Sequence, residues 1–142
     1  MSNISLDPYL FFRGNTDEAM NFYKNIFGGE LEGMKYGSLN VPAPEGLSDE
    51  NWMHLSLNGG EINLMASDTV EASEKSAKIS IALGGDDEEK LTKIFNGLSE
   101  GVEVANPLTK EVWGDIFGTV VDKYGVEWMV NIESKKTVDQ PN

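Results

Sequence analysis

Chemistry in this chain must be done with few reactive side chains. Its 142 residues include one histidine and no cysteine. A thiol nucleophile, a disulfide, a thiolate metal site and any site needing two imidazoles from one chain are therefore excluded. The histidine, His54, is the natural candidate for acid–base work or for a hydrogen bond to a ligand, because imidazole ordinarily titrates near neutrality. The structural alternative is a His54 bonded to a neighbouring strand or loop. Trp52 and Trp113 offer flat apolar area to a bound molecule, and Met65 and Met129 an adaptable apolar wall. Ordinary core filling is the alternative for both methionines. No GxSxG, GxxxxGK[ST] or HExxH is present. The acidic run Asp86-Asp87-Glu88-Glu89 fits a helix N-terminus better than a cation site.

Composition narrows the partners. Lys and Arg number 11 against 24 Asp and Glu, a formal net charge of -13. Such a chain repels nucleic-acid phosphates and anionic membranes, and an anionic ligand would need a local positive patch, around Arg13 or Lys35. No apolar run approaches the roughly 18 residues of a membrane span. The N-terminus MSNISLDPYL lacks the basic and long apolar regions of a secretory signal, so a soluble cytoplasmic protein is the expectation. Hydrophobic residues make up 39% of the chain, enough for a packed core.

The elements that must position these residues follow from periodicity and punctuation. Leu6 to Phe12 is a predicted strand. Asn15 or Thr16 caps a helix whose Asp17 and Glu18 suit the positive end of its dipole. Ala19, Met20, Phe22, Tyr23, Ile26 and Phe27 recur at helical spacing, and Gly28-Gly29 stops the helix. Leu31 to Tyr36 is a weaker strand, and 37–51 is a long loop, either a binding lid or a surface excursion. Trp52–Leu57 and Glu61–Ala66 alternate around Asn58-Gly59-Gly60, a hairpin signal. That alternation sets Met53, Leu55 and Leu57 on one face and Trp52, His54 and Ser56 on the other. Asp68 ends the second strand and caps the polar connector 69–76.

The second half begins with a strand, Lys78 to Leu83, and a helix, Asp86 to Leu98. An interrupted strand follows over Val102–Val104 and Leu108–Val112. Asp115–Val121 and Glu127–Ile132 form a hairpin around 122–125, with turn chemistry at Asp115 and Asp122. Trp128, Val130 and Ile132 form the core face, Glu127, Met129 and Asn131 the other. The tail 134–142 is expected to fray.

The halves repeat. A shift of about 71 residues lays Gly14 on Gly85, Asn15 on Asp86, Asp17 on Glu88, Met20 on Leu91, Tyr23 on Ile94 and Phe27 on Leu98. Each half is then strand, helix and three strands, too small a core to stand alone. The expected class is α+β: two paired βαβββ modules, about 5–68 and 77–133, in one domain over 1–142.

Three blocks carry a resemblance: PYLFFRGNTDEAMNFYKNIFGGE at 8–30, MHLSLNGGEINLMASD at 53–68 and WGDIFGTVVDKYGVEWMVNI at 113–132. Together they resemble the vicinal oxygen chelate superfamily, of glyoxalase and bleomycin-resistance fold, and within it the PhnB-like branch. The resemblance implies a cup-shaped mixed sheet around a small-molecule cavity, helices on its convex side, and a homodimer. It also implies metal ligands, His or Glu, on the first and fourth strands of each module. Those positions fall at about Pro8, near Asn63, at Ile79 or Ser80, and at about Met129. Asn63 offers one weak oxygen, and none of the others is a His or carboxylate. A register one residue away would bring in Asp7 and Glu127 or Asn131, giving an atypical set of Asp7, His54, Asn63 and Glu127. No glycine-rich nucleotide motif supports methyl transfer.

The expectation is a protein that binds a small molecule in a cavity with no metal and no cofactor. His54, Trp52, Asn63, Met65, Trp113 and Met129 are its candidate ligand-binding residues. The alternatives are a lyase, isomerase or dioxygenase of the same fold, using atypical ligands or His54 as acid/base, and an interaction module that binds no metabolite.

Overall fold

Helix α1, Thr16–Phe27, buries Thr16, Ala19, Met20, Tyr23 and Phe27, a stripe at the spacing that places side chains on one face. It packs against β2 (Glu30–Lys35), β3 (Trp52–Asn58) and β4 (Leu64–Asp68). With β1 (Tyr9–Phe12) these strands form a sheet in the order β1-β4-β3-β2. The β1–β4 pair is parallel and the other two pairs are antiparallel. The computed structural model describes residues 5–70 and 78–134, so most of the connector and of the tail predicted above lie outside the described residues.

The chain divides into two compact units, Met1–Ser76 and Ala77–Asn142. The second holds β5 (Ile81–Gly85), α2 (Glu88–Leu98), β6 (Asn106–Lys110), β7 (Ile116–Val121) and β8 (Glu127–Ile132). Its sheet runs β5-β8-β7-β6, again with a parallel first pair. Two βαβββ units, each a mixed four-stranded sheet with one helix, are the α+β architecture that the internal repeat predicted. Among the described residues no helix is long and apolar enough to cross a membrane.

Each core lies between helix and sheet. In the first unit Phe12, Leu55, Leu57, Leu64 and Ala66 are buried beside α1. In the second, Leu91, Ile94, Phe95 and Leu98 of α2 meet Val120, Trp128, Val130 and Ile132. Strand alternation then leaves one face of each sheet uncovered by its own helix.

Some boundaries differ from the sequence reading. Neither Asn15 nor Thr16 caps α1 through its side chain: Asn15 makes no such bond, and the Thr16 N–H instead donates to Asp68 Oδ1 at 3.0 Å. Asp68 therefore caps α1 from β4, while the connector it was expected to cap lies mostly outside the described residues. Val102–Val104 is not strand. The interruption lies instead within β6, whose register slips between Asn106 and Thr109, around Pro107. Proline has no N–H to donate, and an edge strand tolerates it.

The two glycine pairs of the first unit have a joint purpose. A Cβ on Gly29 would lie 2.5 Å from the Asn58 carbonyl oxygen, and one on Gly60 would overlap the Gly28 carbonyl. The Glu61 N–H donates to the Phe27 carbonyl at 3.0 Å. Helix exit and hairpin tip are thus pressed backbone to backbone, which only glycine allows.

Candidate functional site

The open face of the first sheet is set by strand register. Tyr9 pairs with Met65 and Phe11 with Ser67. Ser56 pairs with Met65, and on the other side of β3 His54 pairs with Met34 and Ser56 with Glu32. Paired residues point the same way, so Tyr9, Phe11, Met34, His54, Ser56, Met65 and Ser67 share the side away from α1. His54 and Ser56 stand where the alternation put them, opposite buried Leu55 and Leu57.

At the centre, Tyr9 Oη and His54 Nδ1 lie 3.0 Å apart in a hydrogen bond. The two rings are tilted against each other at 5.6 Å, and Tyr9 stands 5.0 Å from Phe11. Phe11 is 66% exposed and Met34 42%. Around the Tyr9–His54 pair the face is apolar through Phe11, Met34 and Met65, with Ser56, Ser67 and Glu32 on the same side. His54 is half-buried, and its Nε2 has no hydrogen-bond partner among the described residues.

Gly33 lets β2 approach this site. A Cβ there would overlap the His54 carbonyl oxygen and stand 2.8 Å from Leu55 Cα. The backbone that carries His54 is thus clamped by a neighbour with no side chain.

Trp52 does not join His54. Met34 pairs with His54 but Lys35 with Trp52, so Met53 is an extra residue in β3 and the alternation breaks there. Trp52 accordingly turns to the helix side, where its Nε1 donates to Asp17 Oδ1 at 3.1 Å. The Lys35 ammonium lies 5.1 Å from the Trp52 ring centre and 3.4 Å from Glu50, a cation–π contact. The expected shared face of Trp52, His54 and Ser56 therefore holds only for the last two.

Buried Asp68 ties this corner together. Besides Thr16, its carboxylate accepts the Trp52 N–H at 2.8 Å and Asn51 Nδ2 at 3.1 Å, while its carbonyl accepts the Tyr36 hydroxyl at 3.2 Å. The loop at 37–51 is pinned as well: the Tyr36 and Gly37 N–H groups donate to the Asn51 and Asp49 carbonyls.

The second sheet has an equivalent face with different furniture. Ala82 pairs with Met129 and Gly84 with Asn131, where the first unit has Tyr9 beside Met65 and Phe11 beside Ser67. Met65 and Met129 are thus equivalent, and both are half-buried. Thr119 and Phe117 flank Met129 and Asn131 on β7. Asn131 Nδ2 donates to Asp115 Oδ2 at 3.0 Å and the Ser134 N–H to Asp115 Oδ1 at 3.1 Å. These bonds, that from Asn131 foremost, hold the Asp115 carboxyl below its ordinary pKa of 3.8. Trp113 is 60% exposed in the turn between β6 and β7. Asn63 is exposed just before β4.

The donors do not fit a metal. Pro8 offers only its carbonyl, which already accepts the Met65 N–H at 3.0 Å. Ile79 is a hydrocarbon, and the Met129 thioether is a poor ligand for a hard cation. The Ser80 hydroxyl bonds to Glu127, which also faces Lys78 at 3.7 Å. Asn63 is left as one amide oxygen. Among the described residues no three His, Asp or Glu side chains converge.

Comparison with known proteins decides the family. The model of the Glyoxalase/Bleomycin resistance protein/Dioxygenase superfamily matches residues 5–130. The chain belongs to that superfamily. It is 26% identical over 138 residues to protein YjdN of Escherichia coli K12, covering 89% of this chain and 94% of that one. Among solved structures, PA1353 from Pseudomonas aeruginosa is 37% identical with a TM-score of 0.78, over 94% of this chain and all of the other. The PhnB protein from Bacillus cereus shares the fold at 24% identity, with a TM-score of 0.69, over 92% of this chain and all of its own.

Tyr9, Phe11 and Met34 share the candidate face with His54, and the sequence reading passed over them. A signal existed for two of them: alternation in PYLFF puts Tyr9 and Phe11 on one face. Met34 had no comparable signal, since its place depends on its pairing with His54.

Proposed function

We propose that this superfamily member binds a small organic molecule on the open faces of its sheets and needs no bound metal to do so. The observation that carries the reading is the Tyr9–His54 hydrogen bond, set among exposed aromatic and thioether side chains. A polar pair set among apolar side chains suits recognition of a mostly apolar ligand that carries a polar group. Met65 lies on the same floor. Met129, on the second unit's face, offers the corresponding adaptable contact. Asn63 and Trp113 are peripheral candidates, being exposed beside their sheets. Trp52 supports the site indirectly, by fixing the start of β3 against α1. In this reading the chain works in the cytoplasm as a homodimer.

The same hydrogen bond favours one second reading, an enzyme that uses His54 as acid or base. A phenol on Nδ1 fixes the ring and leaves Nε2 to meet substrate.

Equilibrium dialysis of chelator-treated protein against a metabolite extract tests the binding reading. A molecule enriched by the wild type and lost with Phe11→Ser supports it. Enrichment that returns only with a divalent metal, or that is indifferent to Phe11, contradicts it. Turnover of the enriched molecule, abolished by His54→Ala while binding persists, would favour the enzyme.

A further inference from the structure

We propose that the open face of the first unit takes a flat, apolar molecule bearing one carboxylate, which pairs with the Arg13 guanidinium while the ring lies on Phe11 and Tyr9. This rests on the binding reading above and names the class of molecule bound.

Arg13 continues the row that Tyr9 and Phe11 begin. Phe12 is buried beside α1, and its carbonyl still accepts the Thr69 N–H at 2.7 Å. The β1–β4 ladder therefore reaches the peptide bond that Phe12 shares with Arg13. Alternation then returns Arg13 to the side of Tyr9 and Phe11. Residues two apart along a strand are spaced about 6.6 Å, within reach of one ligand that stacks on the ring and pairs with the guanidinium. The Phe11 ring is exposed and its centre stands 5.0 Å from that of Tyr9, so the two rings offer neighbouring surfaces to a fused bicyclic molecule.

Arg13 is also a cation without an anion. Arg13, Lys24 and Lys35 are the cations among the first unit's described residues. Lys24 lies 3.6 Å from Glu30, and Lys35 sits against Trp52 and Glu50. Arg13 is exposed and makes no hydrogen bond, ion pair or ring contact among the described residues. Two acids near it are engaged elsewhere: Asp17 accepts from Trp52 Nε1, and Asp68 is buried under its own donors. Glu32 shares the open face but stands on β2, at the opposite edge of the sheet from β1, about 14 Å away at the usual strand spacing. The planar guanidinium fork matches a carboxylate and is charged at every working pH. One guanidinium balances one negative charge. The chain's net charge of -13 opposes a second, which favours a monoanionic carboxylate over a phosphate dianion.

Three probes share one ring system and differ in the head group: 2-naphthoate, 2-naphthamide and 2-naphthyl phosphate. Each is titrated into wild type, Arg13→Gln and Lys24→Gln, with backbone amide shifts as the readout. The expected result is that 2-naphthoate moves the Phe11 and Arg13 amides of the wild type and binds more tightly than the other two. Arg13→Gln weakens 2-naphthoate about threefold to fivefold, the scale of one exposed ion pair, and leaves 2-naphthamide as it was. Arg13 has no partner among the described residues to lose, so the variant keeps the fold. Lys24→Gln removes the same charge from α1, which covers the opposite side of the sheet, and leaves both affinities unchanged. Added salt narrows the advantage of the carboxylate over the amide. An affinity for 2-naphthoate that is indifferent to Arg13→Gln, an equal loss for carboxylate and amide, no binding of 2-naphthoate, or tighter binding of either other probe would overturn the inference. The binding reading has its own test: it falls if the dialysis against metabolite extract enriches nothing that depends on Phe11.

Discussion

The indole Nε1 of Trp128 donates to Asp122 Oδ2 at 2.8 Å, and both side chains are buried. The other carboxylate oxygen accepts the Tyr124 and Val126 N–H groups at 2.8 and 3.1 Å. One carboxylate thus closes the β7–β8 turn and satisfies the largest core side chain of the second unit. Asp122→Asn would turn an amide N–H toward one of these donors. The expected cost is about 2–3 kcal/mol, the scale for hydrogen bonds to a charged group. Denaturant unfolding measures it, and a loss within experimental error would deny Asp122 this role.

Asp68→Asn should act in the first unit by similar chemistry but with a wider reach. The carboxylate gathers the Thr16 and Trp52 N–H groups and the Asn51 amide, from a helix start, a strand start and a loop. An amide in its place leaves one donor without an acceptor, again costing about 2–3 kcal/mol. Hydrogen exchange should quicken at Thr16 and Trp52 and leave the second unit's amides unchanged.

Gly33→Ala should disturb the site without touching a site side chain. The added methyl would push into the His54 carbonyl and Leu55 Cα, forcing β2 from β3. Overpacking of this kind costs about 1–3 kcal/mol. The imidazole signal of His54 should move in the variant, whereas Gly125→Ala, at a turn with open space around it, should leave that signal in place.

Much of this was legible because it is local. Helix stripes, glycine stops and alternating hairpins are written within short windows, so the βαβββ order, the exposed face of His54 and the core place of Trp128 follow from residue type and spacing. The rest depends on what meets across the sheet. Tyr9 and His54 are 45 positions apart and come together only because β1 pairs with β4 and β4 with β3. Trp52 was misplaced because a bulge at Met53 reverses the alternation, and nothing in WMHLSL marks the extra residue. Asp68 looks like any acidic strand end until the fold buries it under three donors.

The Asp115 carboxyl gives a pH-dependent prediction. Its folded pKa lies below the ordinary 3.8, chiefly through the Asn131 amide and then the Ser134 N–H. A depressed acid stabilises the folded state above the unfolded pKa, and that contribution disappears as pH falls through the folded value. Asn131→Ala should therefore raise the Asp115 titration toward 3.8, as followed by carboxyl NMR. The stability gap between wild type and variant should be widest above pH 3.8 and should narrow below it. A gap that widened in acid would contradict the assignment.

The central claim is that the open face around Tyr9 and His54 receives an organic molecule without metal. Backbone chemical-shift mapping of chelator-treated protein, with a ligand enriched from the metabolite extract, tests it most directly. The account predicts that the largest shifts gather on Tyr9, Phe11, Met34, His54 and Met65 with no metal added. Shifts that gather elsewhere, or that arise only after a divalent ion is supplied, would contradict it.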